Sequence, residues 1–391
     1  MKQFFGLVLA CLSLQAFGQG VTLSPKAELS LITCGPGQEE VYTAFGHSAI
    51  RVRDRTNNID YIYNYGVFDF SQPNFYLNYT RGLLMFKLGV NFYTDFVDSY
   101  IYHNRWVKEQ VLDLSQNQKQ RIFDFLEVNA LPDNESYRYD YFYNNCSNKV
   151  RDVFAEVLKD SIQFDGSFIT TDYTIRQLTD LYLKEQPWGD LGIDICLGLP
   201  IDKKATHYEY MYLPDYLEAY FDHTRITRNG VTVPIVKLKN PVFLALPEAA
   251  PKSLVHPWVA FGGFLFATMT LCFFDWRRRK ISKWFDLFLF GILGITGILL
   301  LLLWTMTDHQ AAANNFNLLW ALPTHPLILL VYAKRSAFFL KKYFLGVAIL
   351  TSVLLLCWFV VPQQLNIFLL PLVAAIACRA WLLSRLLNIP A

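Results

Sequence analysis

The chain has 391 residues, of which 53% are hydrophobic, and its formal net charge is +2. This length allows about two domains, and the hydrophobic fraction is too high for an entirely water-soluble protein of this size. The near-neutral charge, with no stripe of Lys and Arg, gives no indication of nucleic-acid binding. The composition therefore predicts a protein with a membrane part.

The N-terminal segment has the pattern of a secretion signal. Lys2 precedes an apolar core over 4–14, and Ala16 and Gly18 form a small-x-small cleavage pattern. We therefore expect residues 1–18 to be a signal peptide and the domain that follows to lie outside the cytoplasm.

The C-terminal part contains five apolar stretches. Each is long enough to span a hydrocarbon core about 30 Å thick. They run over 256–274, 284–305, 316–333, 343–361 and 366–383.

The loops between these stretches alternate in charge. Basic residues cluster over 277–280 and 334–342, whereas the loops around 308–309 and 362–365 contain no Lys or Arg. The positive-inside rule therefore places the basic loops and the C-terminus in the cytoplasm. The secretion signal independently requires the same orientation. We expect a multi-pass protein of the bacterial inner membrane with its soluble domain on the periplasmic face.

The soluble domain is expected over 19–224, a proline-rich connector over 225–255 and a transmembrane domain over 256–391. Within the connector, Asn229-Gly230 lies between two short runs of strand-forming residues. This pattern predicts a small hairpin.

The best candidates for chemistry are His47 and Cys146. The run 48–54 alternates in polarity and the run 59–65 returns as a second strand, so His47 lies where a loop enters a strand. Apolar spacing after Cys146 predicts a helix that begins at this residue. A helix N-terminus favours the thiolate, and a thiolate with a histidine base is a nucleophilic pair.

A structural role for Cys146 stays open, because an extracytoplasmic cysteine is often half of a disulfide. Three cysteines, Cys34, Cys146 and Cys196, follow the signal peptide in the soluble domain. An odd number leaves at least one thiol free of intramolecular bridges. Cys34 and Cys196 both lie in loops with Gly or Pro, and they either pair with each other or are buried thiols.

Three runs, 42–52 around His47, 63–70 around Asn64 and 144–147 around Cys146, resemble the Lnb family of Bacteroidota lipoprotein N-acyltransferases. The likeness covers nearly the whole chain and includes the run 188–198. The order of His before Cys is similar to the circularly permuted papain-like fold. The resemblance implies an α+β permuted papain-like extracytoplasmic domain followed by an all-α bundle of five transmembrane helices.

The resemblance also implies a two-step acyl transfer. Cys146, with His47 as base, would take an acyl chain from a membrane phospholipid or a diacylglyceryl group. The resulting thioester would then pass the chain to the α-amine of a diacylated lipoprotein. The implied partners are therefore a lipoprotein and a membrane lipid, and no cofactor is implied.

Several further residues are assigned expected roles. Asn64, on the returning strand, is expected to orient His47, with Asp60 as the second choice. Asn144 and Asn145 are expected either to support an oxyanion or to act as cap and turn residues.

Arg51, Asp308 and His309 are the candidates for substrate binding. Arg51 would bind a lipid phosphate, unless it is an ordinary surface arginine. Asp308 and His309 follow the second span on its outer side, where they would contact a headgroup or the incoming amine, or fix the loop by bonding Asn314 or Asn317.

The run with Trp188, Asp190 and Asp194 has no chemistry that the sequence assigns. No CxxC, HExxH or glycine-rich phosphate loop is present in the sequence, so neither a metal nor a nucleotide is expected.

Two other classes of function stay open. One is a hydrolase that uses the same Cys-His pair, either a phospholipid deacylase or a peptidoglycan endopeptidase. The other is a non-catalytic envelope sensor. A cell-wall hydrolase would not need a bundle of membrane helices, and a sensor would tolerate loss of the thiol.

Overall fold

The computed structural model describes residues 20–68, 72–247, 255–326, 329 and 337–387. The predicted signal peptide lies outside the described residues, and so does part of the third predicted span.

The soluble domain is built on antiparallel strands that form a sheet of seven strands and a smaller sheet of three. The strands are β1 (Glu28–Cys34), β2 (His47–Asp54), β3 (Ile59–Phe68), β4 (Met85–Phe92), β5 (Val107–Leu112), β6 (Ser136–Arg138), β7 (Ile162–Gln163), β8 (Arg225–Arg228), β9 (Val231–Pro234) and β10 (Val236–Phe243). Their order is β10-β5-β1-β2-β3-β4-β6 in the large sheet and β7-β8-β9 in the small one.

Helices cover both faces of the large sheet. In this domain they are α1 (Phe75–Thr80), α2 (Tyr93–Tyr102), α3 (Gln116–Asn129), α4 (Cys146–Leu158), α5 (Ile175–Leu183), α6 (Pro187–Cys196) and α7 (Pro214–His223). Alternation along β2 separates the two faces. Ile50 joins the core under α4, and Ala49 joins the smaller cluster under α2.

The predicted connector is partly built into this domain. Asn229 and Gly230 adopt φ values of 49° and 79°, as a type I′ hairpin turn between β8 and β9 requires. Strand β10 then pairs with β5 at the edge of the large sheet. The large sheet therefore extends past the expected boundary at residue 224, because residues up to Phe243 complete it.

Four helices among the described residues are long and apolar enough to cross a membrane. The transmembrane part contains α8 (Pro257–Arg278), α9 (Lys283–Thr305), α10 (Ala337–Leu356) and α11 (Leu370–Leu386). The third predicted span starts with a short 3-10 helix, Phe316–Leu319, and residues 327–328 and 330–333 of that span are not among the described residues. A fifth spanning helix therefore stays a prediction.

A buried ion cluster joins three of these helices. The guanidinium of Arg379 on α11 is fully buried and donates to Asp286 on α9 at 2.6 and 3.0 Å and to Asp275 on α8 at 2.8 Å. Because an unpaired charge inside an apolar bundle is very costly, this cluster holds the three helices together.

Helix α6 docks the soluble domain onto the membrane domain. The side chain of Asn315 donates to the carbonyl of Ile195 at 2.8 Å, and that of Asn317 donates to the carbonyl of Asp194 at 3.0 Å. Just beyond α6, a Cβ placed on Gly198 would lie 1.9 Å from the carbonyl oxygen of Ala313. The run 188–198, to which the sequence assigns no chemistry, is thus a docking segment.

A second contact joins the two domains beyond α9. Asp308 forms an ion pair with Arg138 at 3.1 Å, and its backbone N–H donates to the carbonyl of Arg81 at 2.8 Å. The ring of His309 hydrogen-bonds the carbonyl of Tyr79 at 3.2 Å. The turn after α1 is therefore fixed to the loop that follows α9, beginning three residues beyond the end of that membrane helix.

Candidate active site

His47 and Cys146 come together at the start of two elements. His47 is the first residue of β2, and Cys146 is the first residue of α4, which packs against β2 and β3. The imidazole and the thiol of Cys146 lie side by side against Gly66, and Nε2 of the imidazole lies 2.5 Å from Oδ1 of Asn64 on β3. Asn64 thus occupies the position from which it can orient the imidazole.

The first turn of α4 explains why Cys146 is held in place. Asn145 is the N-cap, its side chain accepts from the backbone N–H of Asn148, and the side chain of Asn148 accepts from the backbone N–H of Asn145. This reciprocal capping box fixes the helix start. The N–H groups of Cys146 and Ser147 are the first two of the helix, so they have no intrahelical acceptor.

The electrostatics of the pair favour a thiolate. Burial raises the pKa of the Cys146 thiol, but the charge and hydrogen bond of His47 and the backbone N–H of Ser48 outweigh burial and lower that pKa to about 7. Burial lowers the pKa of His47, and the charge of Cys146 with the hydrogen bonds to Cys146 and Asn64 raises it overall. Each group therefore stabilises the charged form of the other.

Gly66 forms part of the wall behind the pair. It adopts a φ of 94° at a bulge in β3, and a Cβ at this position would lie 3.6 Å from Cβ of Cys146. Tyr137 and Tyr139 lie on the same side. Burial and then the Cys146 thiolate raise the pKa of both phenols, so both stay neutral near the reactive sulfur.

The side chains of Asn144 and Asn145, expected either to support an oxyanion or to act as cap and turn residues, hydrogen-bond backbone carbonyls. The amide of Asn144 donates to the carbonyl of Arg138 at 2.5 Å. That of Asn145 donates to the carbonyls of Tyr141 and Tyr212 at 3.0 and 2.8 Å. Both side chains are committed to the turn and to the cap, which is the alternative that the sequence leaves open.

Arg51, the candidate for binding a lipid phosphate, lies in a buried network of ion pairs. Its side chain is buried, and its nitrogens donate to Asp60 at 2.7 Å and to Glu109 at 3.0 Å. The guanidinium carbon also lies 3.4 Å from the centre of the Tyr93 ring. Asp60, the second choice for orienting His47, is engaged in this ion pair instead.

Asp308 and His309 contact the soluble domain rather than Asn314 or Asn317, as described above. A series of contacting tyrosines connects them with the surroundings of Cys146. Tyr79 beside His309 hydrogen-bonds the hydroxyl of Tyr141 at 2.8 Å, and the ring of Tyr141 packs against Tyr139.

The other two cysteines of this domain are not bridged. Cys196 is exposed, and Cys34 is buried at the end of β1, where it is the cross-strand neighbour of His47. Burial raises the pKa of the Cys34 thiol far above its ordinary value, so this thiol stays protonated.

A cluster of carboxylates lies at the docking segment. Oxygens of Asp180, Asp190 and Asp194 lie within 4.8 Å of one another and border a cavity of about 700 Å³. Amides from the membrane domain already engage them, since Asn366 donates to Asp190 at 2.8 Å and Gln364 donates to Asp180 at 3.1 Å. The cluster therefore belongs to the interface between the domains.

Two family models match the chain, one at each end. The model described as the Lnb N-terminal periplasmic domain matches residues 22–180, and the model described as the Lnb transmembrane domain matches residues 249–388. The chain belongs to the Lnb family. The matched N-terminal range contains the His47–Asn64–Cys146 constellation, and the C-terminal range contains all four described spanning helices.

The organisation of this Lnb chain is therefore that of a periplasmic domain joined to a transmembrane domain, as in a multi-pass protein of the inner membrane. Searches for similar curated proteins and similar solved structures return no match. The permuted papain-like topology of the Lnb periplasmic domain accordingly stays a prediction.

Sequence reasoning missed several groups around the Lnb site. The backbone N–H of Ser48, the glycine at 66 and the cross-strand thiol of Cys34 follow from strand register, which a single sequence does not give reliably. The position of Gly66 could have been predicted from the sequence. A glycine inside a strand pattern indicates a bulge or a close approach of another part of the chain.

Proposed function

We propose that this chain is a lipoprotein N-acyltransferase. In this proposal it moves an acyl chain from a membrane phospholipid, through a thioester on Cys146, to the α-amine of the N-terminal diacylglyceryl-cysteine of lipoproteins. The observation that carries the proposal is a cysteine at the start of a helix, beside a histidine that an asparagine holds. A thiolate prepared in this way suits acyl transfer.

The first step forms the acyl-enzyme. The Cys146 thiolate attacks the ester carbonyl, the carbon–sulfur bond forms and the carbon–oxygen bond breaks. The imidazolium of His47 gives its proton to the departing lysolipid oxygen. The free N–H groups of Cys146 and Ser147 at the start of α4 are suited to hold the oxyanion, since the helix leaves both without an acceptor.

The second step transfers the chain. The α-amine attacks the thioester, His47 accepts the amine proton, the carbon–nitrogen bond forms and the Cys146 thiolate leaves. An amine reacts readily with a thioester. Hydrolysis of a phospholipid would instead require water to attack the thioester on Cys146. A phospholipid deacylase would share the first step and differ only in the acceptor.

The position of the site supports a lipid substrate over a peptidoglycan peptide. Tyr141 and Tyr79 connect the surroundings of Cys146 with the loop after α9. Exposed side chains flank this contact on α1, where Tyr76 is 79% exposed and Leu77 is 57% exposed. Aromatic and apolar groups beside a membrane loop favour contact with the outer leaflet.

We also propose that a fifth helix crosses the membrane within the third apolar stretch and that the C-terminus is cytoplasmic. The charge pattern of the loops supports this topology. Fusing a reporter that is active only in the periplasm to the C-terminus tests it, because activity of that fusion would contradict the assignment.

One experiment tests the function. The chain and its Cys146→Ser variant are expressed in cells that lack lipoprotein N-acylation, and N-terminal lipopeptides are analysed by mass spectrometry. We expect triacylated peptides with the wild type and only diacylated peptides with the variant. Diacylated peptides in both strains, with the wild type present in the membrane, would contradict the proposal.

A further inference from the structure

A guanidinium lies beside the reactive pair, and none of the described residues forms an ion pair with it. Arg105 is half-buried in the turn between α2 and β5, and its Nε donates to the carbonyl of Gly35 at 2.8 Å. Gly35 follows Cys34, which faces His47 across β1 and β2. This bond anchors Arg105 next to the strand ends that carry the site.

Aromatic rings connect Arg105 to the imidazole. The guanidinium carbon lies 4.7 Å from the centre of the Tyr100 ring. Tyr100 packs on Phe96 with ring centres 4.9 Å apart, and Phe96 lies 6.3 Å from the ring centre of His47. The packing holds the cation on the His47 side of the site.

This cation opposes the chemistry of the resting site. The positive charge of Arg105 lowers the pKa of His47, whereas the thiolate–imidazolium pair needs that pKa raised. In the part of the chain that the structure describes, neither terminal nitrogen of Arg105 has a carboxylate within ion-pairing distance. A local conflict of this kind is typical of a group kept for a ligand.

The contrast with Arg51 supports the same conclusion. Arg51 lies under Tyr93, and each of its three side-chain nitrogens already donates to a carboxylate, Asp60 or Glu109. Arg105 uses one donor on a carbonyl and keeps two terminal nitrogens, which suit two oxygens of a phosphate.

We propose that Arg105 binds the phosphate of a phospholipid acyl donor while Cys146 attacks its ester. In a phospholipid only the glycerol carbons and their oxygens separate the phosphate from the acyl esters, so the groups assigned to Arg105 and Cys146 are close together in one lipid. The diacylglyceryl group of a lipoprotein has the same esters but no phosphate. Resting on the function proposed above, this assignment selects a phospholipid over a diacylglyceryl group as the acyl donor.

The test uses the purified full chain in detergent micelles with either dioleoyl phosphatidylethanolamine or dioleoylglycerol, which share their acyl esters. Acylation of Cys146 is followed over time by intact-protein mass spectrometry. The variants are Arg105→Gln and Arg105→Lys. The matched control is Arg53→Gln, which removes the same charge from a residue paired with Glu28 at 3.7 Å.

With phosphatidylethanolamine we expect Arg105→Gln to lose about 10- to 100-fold in acylation rate, the size expected for losing hydrogen bonds to a charged group. Arg105→Lys should retain an intermediate rate, and Arg53→Gln should match the wild type. With dioleoylglycerol, Arg105→Gln should match the wild type, which also shows that the variant is folded.

Two results would overturn the assignment while the acyltransferase proposal stands. One is an equal loss with both donors, since Arg105 would then act on the thiolate or the oxyanion. The other is an undiminished rate of Arg105→Gln with phosphatidylethanolamine. Failure of the wild type to form an acyl-enzyme with either lipid would overturn the assignment together with the function on which it rests.

Discussion

Ser48 and Ser147, the residues that follow the two reactive groups, are hydrogen-bonded to each other through their hydroxyls, which lie 3.1 Å apart and are fully buried. This bond ties the strand that begins with His47 to the helix that begins with Cys146. Ser147→Ala leaves the hydroxyl of Ser48 unpaired and should destabilise the fold by about 1–3 kcal/mol. Ser48→Ala/Ser147→Ala should recover part of this loss.

Thermal unfolding of the wild type, both single variants and the double variant in detergent measures this coupling. Strictly additive losses would show that the two hydroxyls do not act as a pair.

The lowered pKa of Cys146 predicts a pH-dependent alkylation. The thiolate is the reactive species, so its reaction with iodoacetamide should rise with pH and reach half of its plateau near pH 7. In His47→Asn the midpoint should move above about 8.5, the value of a free thiol, because burial is then no longer offset. Mass spectrometry of the Cys146 peptide measures the profile.

A Cys34→Ser variant is the control for the alkylation profile. Cys34 is buried and its pKa is raised, so its removal should leave the profile unchanged. A midpoint near pH 7 that survives in His47→Asn would exclude the histidine as its cause.

Asn64→Ala should lower acyl transfer by up to about 10²-fold, the lower end of what a positioned acid–base group contributes. The amide holds the imidazole at 2.5 Å, and without it the ring can turn away from the sulfur. Asn64→Gln should not restore the rate, because its longer side chain cannot reproduce this short contact. Unchanged kcat with a raised KM would instead assign Asn64 to substrate binding.

Gly198→Ala should separate or destabilise the two domains. A Cβ there would lie 1.9 Å from the carbonyl of Ala313, so the docking loop must shift, at a cost of about 1–3 kcal/mol or more. Gly192→Ala is the matched control on the same segment, because a Cβ at Gly192 meets nothing within 4 Å. Melting temperature and limited proteolysis compare the two, and equal behaviour would contradict the role of the docking segment.

The carboxylates at the docking segment predict a stability that falls as pH rises. Burial, followed by the charges of Asp194 and Asp190, raises the pKa of Asp180 to about 8, and burial with Asp194 raises that of Asp190 to about 6. Between the ordinary carboxyl range and pH 8 the folded chain thus binds more protons than the unfolded chain. Stability is therefore lost over this interval as pH rises.

The melting temperature should accordingly decrease from pH 5 to pH 9. The decrease should be smaller in Asp180→Asn, which keeps an acceptor for Gln364 and removes the charge. An equally steep decrease in the variant would assign the effect to other groups.

The sequence predicts the local parts of the site well and the long-range parts poorly. Apolar spacing is sufficient to start a helix at Cys146, and a strand–turn–strand pattern is sufficient to bring Asn64 near His47. The ion pair of Arg51 with Glu109 is not predictable in this way, because Glu109 lies on β5, far from Arg51 in the sequence. Sequence patterns report local periodicity, whereas such an ion pair depends on the order of strands in the sheet.

For the same reason, the sequence does not predict where the large sheet ends or that residues 188–198 dock onto the membrane domain. Strand β10 contributes to the sheet only by pairing with β5, and Gly198 has a role only because Ala313 lies against it. Neither partner can be identified from the residues around β10 or Gly198.

The loop after α9 contacts the soluble domain at two separate sites on its surface. Residues 308–309 contact the turn after α1, and residues 311–317 contact α6 and the residues just after it. Two separate contacts restrict rotation of the soluble domain about the membrane helices, so the position of Cys146 relative to those helices is fixed. Under the proposed function, the phospholipid and the lipoprotein would then come to a stationary sulfur one after the other, by lateral diffusion in the same leaflet. Turnover should therefore respond to the fluidity of the bilayer more than to the viscosity of the periplasm.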